Sequence, residues 1–394
     1  MADINDNKWI EIDIAAINRN LKAIIDKIPD DVRLIAVVKN NAYGHGAIDV
    51  ARILCQKGVD FFAVTYLEEA LALRRAGITG SILLFSPIIT EEGIREAILN
   101  EITLVVTSLS DAQLIDRVSE KVKRPLNLHL KIDTGLGRFG ISAEELSEVI
   151  EILSANLYIL IEGIFTHMAD ANHEGYTIKQ FNKFNNIIKD LEDNNIYIPI
   201  KHCANSSIFL KYPNMHLDAV RIGTLLAGHY PVGKLPRPFT LTEPFAFKTK
   251  VIAVNNLDKG DYLGYFRTYR LKRNAKVAVI PVGFSNGLAL EVANPAMNFL
   301  DLLKILARTF FRYMGLRRFS TQVKIKGNLY PVRGKVFMQM ALVELPADSD
   351  IEIGDIVEVP VRKTLVASNV KCAYVKDGVA GKIREEDKTV YITD

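Results

Sequence analysis

An α/β fold, a parallel (β/α)8 TIM-type barrel followed by a mostly antiparallel β domain, is what this sequence predicts. Three observations predict it. Short, continuously apolar, β-branched runs recur eight times through the first 225 residues, with helical patterns between them. Strands buried on both faces require such continuous runs. The texture then changes to alternating strands with Gly/Pro/Asn/Asp punctuation. Between the two regions lies HYPVGKLPRP, a cluster of three prolines and a glycine that suits a boundary.

The elements follow in order. KWIEIDI (8–14) is a strand with no barrel slot, expected to pair with the C-terminal domain. Barrel strands are expected at LIAVVK (34–39), FFAVT (61–65), SILLF (81–85), ITLVVT (102–107), LNLHLKID (126–133), IEGIFTH (161–167), IKHCAN (200–205) and DAVRIG (218–223). HGAIDVARILCQKG, YLEEALALRRAG and AEELSEVIEILSA place Leu, Ile and Val at helical spacing. Gly58, Gly77 and Gly80 are expected as helix stops. Eight strands alternating with helices favour closure over the rival, a doubly wound open sheet. Thus 12–235 is expected to be the barrel, and 236–394 with the N-terminal strand 1–11 the β domain. A helical insertion is expected at about 290–320, where Phe299, Leu302, Leu303, Leu306, Phe310 and Tyr313 share one face. Lys304, Arg308, Arg312, Arg317 and Arg318 make it basic, so a membrane-surface or partner-binding helix is one reading. Packing on the protein's own core is the favoured one.

Composition narrows the function. Apolar residues are 49% and charged residues 24% of the 394, ordinary for a globular chain. With 49 basic against 46 acidic residues, no strong field argues for nucleic acid. Cys55, Cys203 and Cys372 are too scattered for a disulfide framework or a metal site. The start lacks a signal-peptide core, and no apolar run reaches the roughly 18 residues of a membrane span. A cytoplasmic location is the expectation.

In a barrel, residues at the C-terminal ends of the strands converge on one mouth. Here they are Lys39, Ser86, Lys131, Asp133, His167, Asn205 and Arg221. A lysine there either reaches solvent or, desolvated beside other cations, becomes nucleophilic. Gly44 and Gly46 follow Lys39, while Gly223 and Thr224 follow the eighth strand, where barrels often hold phosphate. Ser206 and Ser207 add hydroxyls. A reactive lysine facing a phosphate pocket suits pyridoxal phosphate, though Schiff-base aldolases also place a lysine in a barrel.

These motifs carry a resemblance. AVVKNNAYGHG is similar to the cofactor-lysine motif of the alanine racemases, fold-type III pyridoxal-phosphate enzymes. HLKIDTGLGRFGI, GIFTHMADAN, HCANSS, DAVRIGT, GYFRTY with PVGF, and GKVFM resemble that family in the same order. The resemblance implies pyridoxal 5'-phosphate held by Lys39 as a Schiff base. Tyr43, Ser206, Gly223 and Thr224 would hold its phosphate, with Asn205 beside them; His167 would lie against its ring and Arg221 would donate to its ring nitrogen. Arg138 and the Met338 backbone would meet the substrate carboxylate, and Lys131 matches a lysine often carbamylated in the family. It implies a two-base racemase of L- and D-alanine. Lys39 would be one acid/base group, and Tyr265, from the other subunit of a homodimer, the second.

The implied chemistry is coherent. Inversion needs a proton removed on one face of Cα and returned on the other. Arginine does not give up its proton, so the ring nitrogen stays unprotonated. Tyr265 needs its pKa, about 10 when unperturbed, lowered to act as a base; Arg221 and a histidine chain are expected to lower it. Phe284, Ser285-Asn286 and Gln339 depart from the family pattern, predicting a remodelled gate and looser substrate selection. The family's phosphate-side tyrosine has no match in the tail, for which Tyr374 is the candidate. The rivals are a racemase of serine or a basic amino acid such as lysine, a non-catalytic cofactor-homeostasis barrel, and a fold-type III decarboxylase.

Overall fold

A computed structural model describes residues 6–290, 299–314, 320–366, 370–376, 379–385 and 388–391. The chain divides into two compact units, Ala15–Glu243 and Met1–Ile14 with Pro244–Asp394.

After β1 (Lys8–Asp13), the first unit begins with α1 (Ile14–Ile25) and then alternates. Its elements are β2 (Arg33–Val37), α2 (Lys39–Tyr43), α3 (Ala47–Cys55), β3 (Phe61–Val64), α4 (Leu67–Arg75), β4 (Ser81–Leu84), α5 (Glu91–Leu99) and β5 (Leu104–Val106). There follow α6 (Leu109–Val122), β6 (Leu126–Lys131), α7 (Leu146–Ala155), β7 (Ile159–Phe165), α8 (Glu174–Asp193), β8 (Ile200–His202), β9 (Ala204–Asn205), α9 (Ser206–Lys211) and β10 (Ala219–Ile222). Two all-parallel sheets result, β4-β3-β2-β10-β9 and β5-β6-β7-β8. A parallel bridge, Leu83 to Thr103, joins them on one side. On the other, β8 and β9 are one strand interrupted at Cys203. The eight expected strands therefore close into a (β/α)8 barrel.

The reason lies in the side chains. β3 and β10 are buried along their whole length, and β4 nearly so. Ile35, Val37, Phe61, Ala63, Leu83, Ile200 and Ala219 pack into one interior cluster. Each large aliphatic or aromatic side chain buried this way contributes about 1.5–3 kcal/mol. Gly58 and Gly77, both at φ +85°, stop α3 and α4 as expected. Gly80 has another reason to be glycine. A Cβ there would overlap the Asp60 carbonyl, so it permits a close backbone approach rather than ending a helix.

The second unit is built on β1 and on β11 (Phe245–Lys250), β12 (Ala253–Leu257), β13 (Tyr262–Leu263), β14 (Tyr269–Arg270) and β15 (Ala275–Ile280). After α10 (Phe299–Tyr313) come β16 (Gln322–Ile325), β17 (Asn328–Arg333), β18 (Ala341–Pro346), β19 (Ile356–Val359), β20 (Cys372–Lys376), β21 (Val379–Glu385) and β22 (Lys388–Tyr391). Its main sheet runs β12-β15-β18-β17-β16-β19-β11-β1-β20-β21-β22. β1 pairs antiparallel with β11 and parallel with β20; every other pairing in that sheet is antiparallel.

One expectation fails here. The helix of the basic insertion does form, but its apolar side chains stay in solvent. Phe299 is 71% exposed, Leu306 55% and Phe310 58%. It does not bury its stripe in the protein's own core. Residues 291–298 and 315–319 of that segment, with Arg317 and Arg318, lie outside the described residues.

Candidate active site

A cavity of about 500 Å3 opens at the C-terminal ends of the barrel strands. Of the strand-end residues read from the sequence, it gathers Lys39, Ser86, Lys131, His167, Asn205 and Arg221. Tyr43, Ser206, Ser207, Gly223, Thr224 and Arg138 line it too. Asp133 does not line it. Its carboxylate accepts the backbone N–H groups of Gly135, Leu136 and Gly137, and so shapes the loop that carries Arg138.

Lys39 follows β2 and opens α2, whose backbone is unusual. Asn40, Asn41, Ala42 and Tyr43 all have positive φ, 49°, 54°, 51° and 57°, making a left-handed turn without glycine. Each such residue costs roughly 1–2 kcal/mol, so the surroundings must enforce it. They do. Glu69 accepts the Asn40 N–H at 2.5 Å with one carboxylate oxygen and the Thr65 and Tyr66 N–H groups with the other. Asn41 Oδ1 accepts the Ala47 N–H, and the buried His45 ring contacts the Ala42 carbonyl at 2.8 Å. Burial, and then Arg138, hold the Lys39 amine below its usual pKa, against the opposing pull of Glu69.

The same turn brings Tyr43 back against the end of the neighbouring strand β10, where its hydroxyl lies so close to Gly223 that a Cβ there would overlap it. Burial pushes the Tyr43 phenol up to about 12, so it is a donor and not an anion at neutral pH. Gly223 N–H points to Ser206 Oγ at 3.3 Å. Thr224 Oγ1 is buried without a hydrogen-bond partner among the described residues. Three hydroxyls and a glycine backbone around an unsatisfied donor make an anion cradle.

Two residues before Gly223, on β10, stands Arg221, buried at 3% exposure. Its NH1 donates to His202 Nδ1 at 2.6 Å and to the His202 carbonyl; its NH2 donates to the Thr166 and Cys203 carbonyls. Both terminal nitrogens are committed. Nε has no protein acceptor among the described residues, and the side chain lines the cavity. Burial lowers Arg221 to about 10, which still leaves it charged at neutral pH. Because guanidinium has no acceptor, His202 Nδ1 must accept and Nε2 must carry the proton. Nε2 then donates to His129 Nδ1 at 2.9 Å, and His129 Nε2 lies 3.4 Å from Glu162 Oε2. That last contact is within ion-pair reach but off hydrogen-bond geometry. Burial keeps both histidines neutral, below their ordinary pKa. The His202 ring stacks on Phe165 at 4.7 Å and 7°, and Gly163 leaves room for the His129 ring.

Two cations flank the third side. Lys131 Nζ donates to the Phe139 carbonyl at 2.5 Å and lies 3.7 Å from its ring centroid; Arg138 covers the same ring at 4.8 Å. Burial and Arg138 bring Lys131 down to about 8. His167, near Asn205 Nδ2, falls to about 3, first through burial and then through Arg221, Arg138, Lys131 and Lys39.

The residues assigned to the second unit sit as follows. Tyr265 opens a 3-10 turn behind Gly264 (φ 75°), with Phe266 and Arg267 also at positive φ. It is 65% exposed, its ring edge-on to Phe337 at 5.0 Å. Met338 is 61% exposed, and its carbonyl accepts from the Ser285 N–H and hydroxyl. Phe284 is 41% exposed, and Gln339 is exposed. Asn286 is instead buried, its side-chain oxygen accepting the Gly283 N–H, so it braces a turn and is no gate group. Tyr374 is 1% exposed on β20 and is not among the residues that line the cavity.

Sequence reasoning missed Glu69, Phe139, Phe165, His129, His202 and Glu162. His129, Phe139, Phe165 and His202 lie inside the motifs quoted above but received no role, and Glu69 and Glu162 lie outside them. His129 and His202 were visible as polar residues inside apolar strands, which burial makes costly unless they are paired.

Comparison with known proteins bears on this geometry. Residues 12–231 match the family model for the alanine racemase N-terminal domain, and 245–377 that for the alanine racemase C-terminal domain. An alanine racemase of Methanococcus maripaludis is 35% identical over 355 residues, covering 89% of this chain and 88% of that one. Among solved structures, alanine racemase of Clostridium difficile 630 is similar at TM-score 0.85 and 27% identity, covering 98% of this chain and all of the other. That of Bacillus anthracis with bound L-Ala-P is similar at TM-score 0.82 and 28% identity, covering 98% and 99%.

Proposed function

The chain belongs to the alanine racemase family, and on that premise we propose that it interconverts L- and D-alanine with pyridoxal 5'-phosphate, as a homodimer with shared active sites in the cytoplasm. One observation carries the reading. A single cavity holds an amine of lowered pKa, an arginine with an uncommitted Nε–H, and an orphaned threonine hydroxyl beside a glycine cradle.

Those residues fit the cofactor. Thr224, Ser206, Tyr43 and the Gly223 backbone would hold its phosphate, with Asn205 and His167 beside the ring, Arg221 Nε at the ring nitrogen, and Lys39 at the aldehyde. When bound, pyridoxal phosphate supplies the electron-accepting imine that acidifies the substrate Cα. The chain's own residues do the rest. Arg221 remains charged and is locked by four acceptors and a histidine pair, so it orients the ring nitrogen without protonating it. Arg138 receives the substrate carboxylate, with the Met338 N–H of the partner subunit helping. Lys39 holds or takes a proton at Cα on one face. Tyr265 of the partner subunit does so on the other, which lets the configuration invert without the substrate turning over. An exposed phenol on the chain's own surface is what such sharing needs. Lys131, at about 8, keeps part of its amine unprotonated near neutrality. Its nitrogen lone pair can then bond to the carbon of carbon dioxide while an N–H proton leaves to solvent, giving a carbamate whose carboxylate would pair with Arg138. A carbamate carbon signal in 13C NMR after exchange into labelled bicarbonate, absent from Lys131→Ala, tests that point.

Chiral chromatography tests the activity. Purified holoprotein is expected to racemise both alanine enantiomers, and faster than serine or lysine. An absorbance band at about 420 nm is expected to disappear in Lys39→Ala. A colourless wild type, or no change of alanine configuration, refutes the reading.

A further inference from the structure

Helix α10 is used by nothing above, and its surface is distinctive. Seen down its axis at about 100° per residue, Asp301, Lys304, Arg308 and Arg312 share one arc of roughly 80°. Leu, Ile, Phe, Tyr and Ala fill the remainder except Thr309, whose hydroxyl is turned back onto the Ile305 carbonyl at 2.9 Å. Every described apolar side chain on it larger than alanine is at least 39% exposed. Asp301 pairs with Lys304 at 3.2 Å, so the polar stripe carries net positive charge. Two further arginines, Arg317 and Arg318, follow in sequence.

We propose that α10 is an interfacial anchor that lays the protein on anionic phospholipid bilayers, its cationic stripe level with the headgroups. Three features choose a bilayer over a protein partner. A protein groove covers an apolar stripe of about 100° or somewhat more, whereas here the apolar arc is nearly three times that. A helix sunk about 5–10 Å into a headgroup boundary is wetted by apolar chains around most of its roughly 10–12 Å girth. Lys304 stands at one edge of the stripe, where a long cationic side chain reaches back to phosphate while its stem stays in the apolar layer. The helix lies on the membrane and does not cross it. Its 15 residues are about 22 Å long against a core of about 30 Å. No described helix is long and apolar enough to span.

Cosedimentation of the purified full-length protein with vesicles is the test. One set is pure phosphatidylcholine; the other contains about 30 mol% phosphatidylglycerol. The bound fraction is expected to be at least about tenfold higher on the anionic set, and to fall in about 0.5 M NaCl. Leu303→Glu/Leu306→Glu/Phe310→Glu is expected to lose binding to both sets with an unchanged circular-dichroism melt. Lys304→Glu/Arg308→Glu is expected to lose the anionic preference. A Phe310→Trp variant is expected to shift its emission to the blue on anionic vesicles only. The proposal is overturned if the wild type stays in the supernatant with both sets, or if the triple variant sediments as the wild type does. A triple variant that lowers the solution mass of a protein that binds neither set overturns it too, and assigns the face to a second copy of the chain.

Discussion

Thr224 is a residue whose isolation can be measured. A buried hydroxyl with no partner costs about 1–3 kcal/mol. If that hydroxyl exists to meet a phosphate, its removal has opposite effects on two quantities. Thr224→Val is expected to raise the stability of the cofactor-free protein by up to about 1 kcal/mol in urea unfolding, and to weaken pyridoxal phosphate binding about tenfold in a spectroscopic titration. A change of the same sign in both removes the phosphate role. Lys39, His167, Arg221 and Thr224 were legible in the sequence because a barrel delivers strand ends to one place. Glu69 and Glu162 were not. Glu69 caps α4 through local N–H groups and also reaches the Asn40 N–H, while Glu162 lies on β7 beside His129 of β6; the long-range half of each contact is set by which elements the barrel makes neighbours.

At the scale of the element, the left-handed turn after β2 ties local backbone cost to function. It turns the chain so that Lys39 and Tyr43 reach different parts of one cavity. Asn40 is exposed and its side chain makes no contact described here, so substitutions there report backbone energy. Asn40→Gly is expected to stabilise by about 0.5–1 kcal/mol, because glycine adopts positive φ without the Cβ penalty. Asn40→Val is expected to destabilise by about 1–2 kcal/mol and to lower cofactor occupancy. Equal urea midpoints for the two variants contradict the strain. In sequence, NNAY is only the stretch between a strand end and the helix at 45–58, and asparagine's tolerance of left-handed backbone is the one hint of this turn. With α10 the opposite held. Its amphipathic pattern was plain, but periodicity reports a stripe and not what covers it.

For the whole molecule, eight apolar runs were enough to announce the barrel, since strands buried on both faces are apolar along most of their length, with His129, His202 and Arg221 as the paired exceptions. Closure also buries charge-sensitive groups together. His129 and His202 are held below their ordinary pKa, and His167 lies at about 3. Below about pH 6.5 the unfolded chain protonates these rings while the folded barrel does not. The unfolded state then binds more protons, so their contribution is complete above about pH 6.5 and is lost as pH falls, for His167 by about 1.4 kcal/mol per pH unit between about 6.5 and 3. The urea midpoint of the cofactor-free protein is expected to drop steeply from pH 7 to pH 5, and less steeply in His167→Asn. A flat profile contradicts neutral burial.

The most direct test mixes two dead proteins. Lys39→Ala and Tyr265→Ala homodimers are each expected to be inactive. Dissociated and reassociated at equal amounts, they form mixed dimers in which one barrel keeps its lysine and receives an intact phenol from the other chain. Alanine racemase activity of about a quarter of wild type is expected from such a random mixture. No recovery, with mixed dimers verified by mass spectrometry, contradicts a site built from two chains.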